Sequence, residues 1–139
     1  MNHSEELISL LKQFTEDQIG HIRLNPRDET KTERESPLFC KFCGKEVTAS
    51  EYGTTVNGRH EHSFVNPSGI PYRIGCFVDA YGCITHGIPT AEFTWFAGFR
   101  WCFCSCAGCF SQLGWHYQSG ERTFFGLILD NLMRKGKIH

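Results

Sequence analysis

The chain has 139 residues, 40% of them hydrophobic and 14% aromatic, enough for one compact core, so one folded domain is expected. Fourteen Lys plus Arg stand against fifteen Asp plus Glu, a formal charge of −1, which leaves no electrostatic footprint for phosphate backbones or anionic membrane. Nucleic acid and membrane are therefore not expected partners, and the apolar run Phe124-Phe125-Gly126-Leu127-Ile128-Leu129 falls far short of the roughly 20 residues a spanning helix needs.

The sequence opens Met1-Asn2-His3-Ser4-Glu5-Glu6, without the basic, apolar and small-residue regions of a secretory signal. A cytoplasmic, reducing setting follows, in which structural disulfides among the eight cysteines are disfavoured. From Ser4 to about Ile22, Leu7, Ile8, Leu11, Phe14 and Ile19 fall near helical spacing. Ser4 is placed to cap the helix, and Glu5 and Glu6 lie in its first turn. The stretch from Asn25 to Pro37 is charged, mixed in sign and bracketed by prolines, so it reads as a linker. Residues 1–37 are thus expected as an N-terminal helix and linker, and 38–139 as the folded domain.

Beyond Leu38 the chain changes to short aromatic and β-branched runs broken by Gly, Asn-Pro and Asn-Gly, which predicts an all-β body. Asn57-Gly58 suits a tight hairpin turn and Asn66-Pro67-Ser68-Gly69 another, with Phe124 to Leu129 a buried closing strand.

Two C-x-x-C pairs, Cys40-Lys41-Phe42-Cys43 and Cys106-Ala107-Gly108-Cys109, can each present two thiolates to one tetrahedral zinc ion. Four protein ligands leave no position for water, so the spacing predicts one structural zinc tying the first strand region to the last. A redox reading of either pair lacks a surrounding βαβ pattern. Cys76, Cys83, Cys102 and Cys104 have no paired spacing and read as small buried hydrophobes. Cys104 alternates with Cys102 and Cys106 on one strand face, which makes it a competing ligand only in principle.

All three tryptophans, Trp95, Trp101 and Trp115, are close together in sequence. Ala97-Gly98 can bend the chain between the first two, and the second C-x-x-C pair can return it so that Trp115 and Tyr117 run beside Trp101. Two readings stay open: ordinary core aromatics, or a box for something flat or cationic.

The motifs Cys40-x-x-Cys43-Gly44, Asn66-Pro67-x-Gly69, Glu92-Phe93-x-Trp95-Phe96-x-Gly98-Phe99-x-Trp101, Cys106-x-x-Cys109, Leu113-Gly114-Trp115-x-Tyr117 and Phe125-Gly126-Leu127 resemble the cereblon thalidomide-binding (CULT) domain family, especially its bacterial single-domain members. The resemblance covers about residues 38 to 132. It implies a β-tent, two antiparallel sheets meeting at an angle and pinned by one zinc. It also implies that Trp95, Trp101 and Trp115 form a cage for glutarimide rings, with Tyr117 closing one side and Asn66 and Pro67 at the mouth. The Phe93 carbonyl would accept the imide proton, while the Trp95 backbone N–H and the Trp101 indole N–H would donate to the ring carbonyls.

A cyclic imide presents a flat polar edge, C=O, N–H, C=O, on a body thin enough to slide between indole faces. At about −1 kcal/mol per heavy atom, glutarimide would bind at roughly micromolar Kd. Uracil-type nucleosides and protein ends bearing a cyclised Gln or Asn carry the same edge. The first 37 residues carry no counterpart of the family's adaptor-binding segment, so no ubiquitin-ligase role is expected.

The runner-up is an enzyme of the methionine sulfoxide reductase B type, which would need Cys102 or Cys104 as nucleophile. A third reading is an interaction module assembled through the N-terminal helix. His60, His62, His86 and His116 have no spacing that improves on four cysteines as ligands.

Overall fold

The computed structural model describes residues 36–134, and the expected helix over 4–22 and the charged stretch before Ser36 lie outside them. Pro37, read above as the last linker residue, opens the first strand, where its missing N–H costs no ladder bond. The strands are β1 (Pro37–Cys40), β2 (Glu46–Ala49), β3 (Glu61–Val65), β4 (Pro71–Phe77), β5 (Cys83–Thr90), β6 (Arg100–Cys106), β7 (Gln112–Gln118), β8 (Thr123–Ile128) and β9 (Leu132–Arg134). Two antiparallel sheets result, one of three strands in the order β9-β1-β2 and one of six in the order β3-β4-β8-β7-β6-β5. The all-β reading holds for these residues, whose only helical pieces are single 3₁₀ turns at Ser50–Tyr52 and Leu129–Asn131.

Local chemistry sets the turns. Asn57 and Gly58 both have positive φ, 54° and 84°, the pair of left-handed residues that a two-residue reverse turn demands. Between β3 and β4, the Asn66 side-chain oxygen accepts from the N–H groups of Ser68 and Ile70, both at 2.9 Å. Gly69 supplies the φ of 86° that closes that turn.

The apolar run Phe124 to Leu129 forms β8 and the start of the following 3₁₀ turn, but it does not close the chain. It lies between β4 and β7 in the middle of the large sheet, and β9 follows it. Phe124 and Gly126 to Ile128 are buried and Phe125 is half-buried, so residues of both faces are covered and the sequence is nearly continuous in apolar residues. Gly126 fits there because a Cβ would stand 2.9 Å from the Tyr117 ring.

One core cluster draws on both sheets, joining Leu38, Val47, Phe77, Cys104, Leu113 and Leu127, while a second, of Val56, Cys76, Phe96, Tyr117 and Phe124, belongs to the large sheet and its loops. Each fully buried large side chain contributes about 1.5–3 kcal/mol. Thr48, buried among apolar neighbours, has its hydroxyl satisfied by the Asp79 carbonyl at 2.7 Å. Gly82 donates its N–H to Val47 at 3.0 Å and accepts from Ala107 at 2.8 Å, so one residue connects the small sheet to the turn after β6.

Candidate metal centre and aromatic site

The two C-x-x-C loops have one backbone design. The N–H of Cys40 donates to the Lys45 carbonyl and that of Cys106 to Ser111, while Gly44 and Phe110 donate back to Cys40 and Cys106, all at 2.8 Å. Further N–H groups point at sulfur, Phe42 to Cys40 at 3.4 Å and Gly108 to Cys106 at 3.2 Å. All four Sγ atoms lie within 4.8 Å of one another, with Cys40 to Cys109 at 3.8 Å and Cys43 to Cys106 at 3.6 Å. A tetrahedron with Zn–S bonds of about 2.3 Å has edges of about 3.8 Å, so the four sulfurs fit the ion. Cys40 and Cys106 are buried and Cys43 and Cys109 exposed, each loop turning one sulfur inward.

Burial pushes the Cys40 thiol up to about 12, whereas the Ser111 hydroxyl and backbone N–H hold Cys109 down to about 6. A cation held by the four sulfurs would be what allows Cys40 to be a thiolate at neutral pH. The cluster ties β1 to β6 rather than to the final strand. Cys104 is fully buried and lies outside the cluster.

The matching loops both turn left-handed at the residue after the second cysteine. Gly44 has φ 83°, and its counterpart Phe110 is forced to φ 64°, where an L side chain costs about 1–2 kcal/mol. Phe110 is 58% exposed and, among the described residues, stacks only on His86 at 5.0 Å. Phe110→Gly is expected to stabilise the fold by about 0.5–1 kcal/mol, read as a rise in Tm of a few degrees.

The aromatic residues gather through strand register. Trp101 faces Tyr117 and Phe103 faces Trp115 across β6 and β7, and the loop after β5 delivers Phe93 and Trp95. Gly98, at φ 90°, makes the bend. Asn66, Pro67, Phe93, Trp95, Trp101, Trp115 and Tyr117 line one cavity of about 290 Å³, together with Tyr72, Phe103 and Gln112. Trp95 meets Trp115 edge to face at 5.1 Å, Tyr72 packs on both at 5.8 and 5.4 Å, and Phe64 stacks behind Trp95 at 4.9 Å. Tyr117 is buried, stacked on Phe124 at 5.0 Å, with its phenol raised by that burial and by Cys76.

One expected role differs. The Trp101 indole N–H donates to the Glu92 carbonyl at 2.8 Å, so the donor expected for a ligand carbonyl is already engaged within the loop. Phe93 has φ 59° and is 67% exposed, a left-handed residue at the cavity's edge whose strain is of the kind that clusters at binding sites.

No family model matches the chain. It is 26% identical over 119 residues to protein cereblon of Drosophila virilis, covering 77% of this chain and 18% of that protein. The cereblon of Drosophila willistoni is 25% identical over 116 residues, covering 75% and 18%, and that of Drosophila melanogaster 23% over 105 residues, covering 67% and 17%. This chain is distantly similar to cereblon. It spans less than a fifth of the length of these cereblon proteins.

The cysteines that a reductase would need sit in poor surroundings for a nucleophile, which requires an accessible thiolate. Cys102 and Cys104 are buried, the first thiol raised by desolvation and the second by its hydrogen bond with Cys83 and by desolvation. The histidines are engaged elsewhere. His60 lies 3.0 Å from the Thr54 carbonyl, His62 3.0 Å from those of Val56 and Arg59, His86 2.9 Å from the Ser105 hydroxyl, and His116 packs on Phe125 at 4.6 Å.

Proposed function

We propose that this chain is a binding module, not an enzyme, that holds small cyclic imides between Trp95, Trp101 and Trp115 in a zinc-stapled CULT-like domain of β-tent form. The observation that carries the reading is the meeting of three indoles in one cavity, in a chain distantly similar to cereblon. Thin apolar walls with a few polar groups at one edge suit a flat ring with a polar rim. The Phe93 carbonyl takes the imide proton and the Trp95 backbone N–H one ring oxygen. The Trp101 indole reaches the other oxygen by giving up its bond to Glu92, so binding exchanges one hydrogen bond for another and adds less affinity there than a free donor would. Asn66 and Pro67 meet whatever extends from the ring, which is a nucleoside sugar or a protein chain in the two natural ligand classes considered. A reducing, cytoplasmic setting belongs to the same proposal, because a thiolate site needs reduced cysteines.

The test is a titration of the zinc-loaded protein with glutarimide, N-methylglutarimide and uridine, followed by tryptophan fluorescence. Saturable quenching at roughly micromolar glutarimide is expected, weakened at least tenfold by N-methylation and lost in Trp101→Ala. A flat response up to millimolar glutarimide, with the metal in place, overturns the proposal.

A further inference from the structure

We infer that a second cavity, sharing no lining residue with the aromatic one, binds a small amphiphile with a single anionic head. It measures about 730 Å³ against about 290 Å³ for the aromatic cavity, well inside the size range of small-molecule sites. Both sheets build it. Leu38 of β1 and Leu132 and Met133 of β9 face Phe77 of β4, and Leu129 joins them from the 3₁₀ turn. This apolar wall fits a hydrocarbon body.

The polar groups select the head. Arg73 at the rim is held by two carboxylates, Glu61 at 3.0 Å and Asp130 at 3.1 Å, a group of net negative charge that offers an anion nothing. Arg134 is not so held: its guanidinium donates to the Ser50 hydroxyl at 3.0 Å and makes no ion pair among the described residues. A guanidinium with spare donors takes a carboxylate through two parallel hydrogen bonds.

His60 lines the same cavity. Its Nδ1 lies 3.0 Å from the Thr54 carbonyl oxygen, which can only accept, so the ring proton sits on Nδ1 and Nε2 keeps its lone pair. Nε2 lies over Gly75, 3.1 Å from where a Cβ would stand, beside Leu129 and Phe77 of the wall, and has no hydrogen-bond partner among the described residues.

Dodecanoate below its micellar concentration is the probe, titrated into the full zinc-loaded chain by calorimetry, with dodecanol and acetate as the body and the head alone. One molecule of dodecanoate per chain is expected, with dodecanol and acetate each at least tenfold weaker. Arg134→Gln is expected to weaken dodecanoate at least tenfold, and Met133→Trp, which fills the cavity, to abolish it. Trp101→Ala and saturating glutarimide should leave dodecanoate binding unchanged, which keeps this outcome separate from that of the imide reading.

No saturable heat, several molecules per chain, equal binding of dodecanol, an unaffected Arg134→Gln variant or competition by glutarimide would each overturn the assignment. So would binding to anionic phospholipid vesicles with none to monomeric dodecanoate, which would make the cationic edge a membrane contact instead.

Discussion

Stripping the metal with a chelator, or replacing Cys106 by Ser, is expected to unfold the described domain, with loss of near-UV circular dichroism and of the cooperative thermal transition. The magnitude decides this. Structural zinc contributes an apparent 10–16 kcal/mol in small metal-folded peptides, as much as the entire 5–15 kcal/mol by which ordinary domains are stable. Cys40 and Cys106 are buried in the core cluster that joins the two sheets, so losing the ion removes a tether at the place where the sheets pack. Cys43→Ser changes an exposed ligand and should cost less. It tests whether the ion itself or core packing dominates: a chelator-resistant wild-type fold would show that packing suffices and remove the ion from the structural account.

Gly82→Ala is expected to lower stability by about 3 kcal/mol or more, a fall in Tm on the order of 12 °C. A Cβ at this position would lie 2.1 Å from the Glu46 carbonyl oxygen and 2.8 Å from the Val47 Cα, and both are backbone atoms with no rotamer to yield. Relief requires β2 to move away, which pulls on the 3.0 Å bond to Val47 and the 2.8 Å bond from Ala107, and through the latter on the second metal loop. Gly120→Ala, with nothing within 4 Å of its Cβ, is the control and should stay within about 0.5 kcal/mol of wild type. Equal melting temperatures for the two variants would show that the small sheet is not held at Gly82.

The metal loops were legible because C-x-x-C spacing is a local rule: four cysteines in two short motifs need only one chain reversal to meet. The turns at Asn57-Gly58 and Asn66-Gly69 were legible for the same reason. The aromatic site was legible only in part. Trp101, Trp115 and Tyr117 come from neighbouring strands, but Tyr72 reaches the cavity from β4, and β8, late in sequence, separates β4 from β7. No local pattern signals that insertion, so Tyr72 and Gln112 were missed. Phe103 carried a signal, two residues after Trp101 on the same strand face. The Trp101 bond to Glu92 depends on the path of an irregular loop, and residue types do not encode that path. The expected helix over 4–22 falls outside the described residues.

The pairing of β9 with β1 has a consequence for how the chain reaches this fold. The β3–β4 hairpin closes through a local turn and can form early, but β1 must wait for Leu132–Arg134, the last of the described strands, before its second edge is covered. Contacts so distant in sequence exact their loop-closure entropy before returning any stabilisation. During synthesis β1 stays open on one side until the segment through Arg134 has been made, which exposes it to strand-edge association in the interval. Refolding is expected to show a fast phase from the large sheet and a slower one, reported by residues of β1 and β9, as the small sheet docks last.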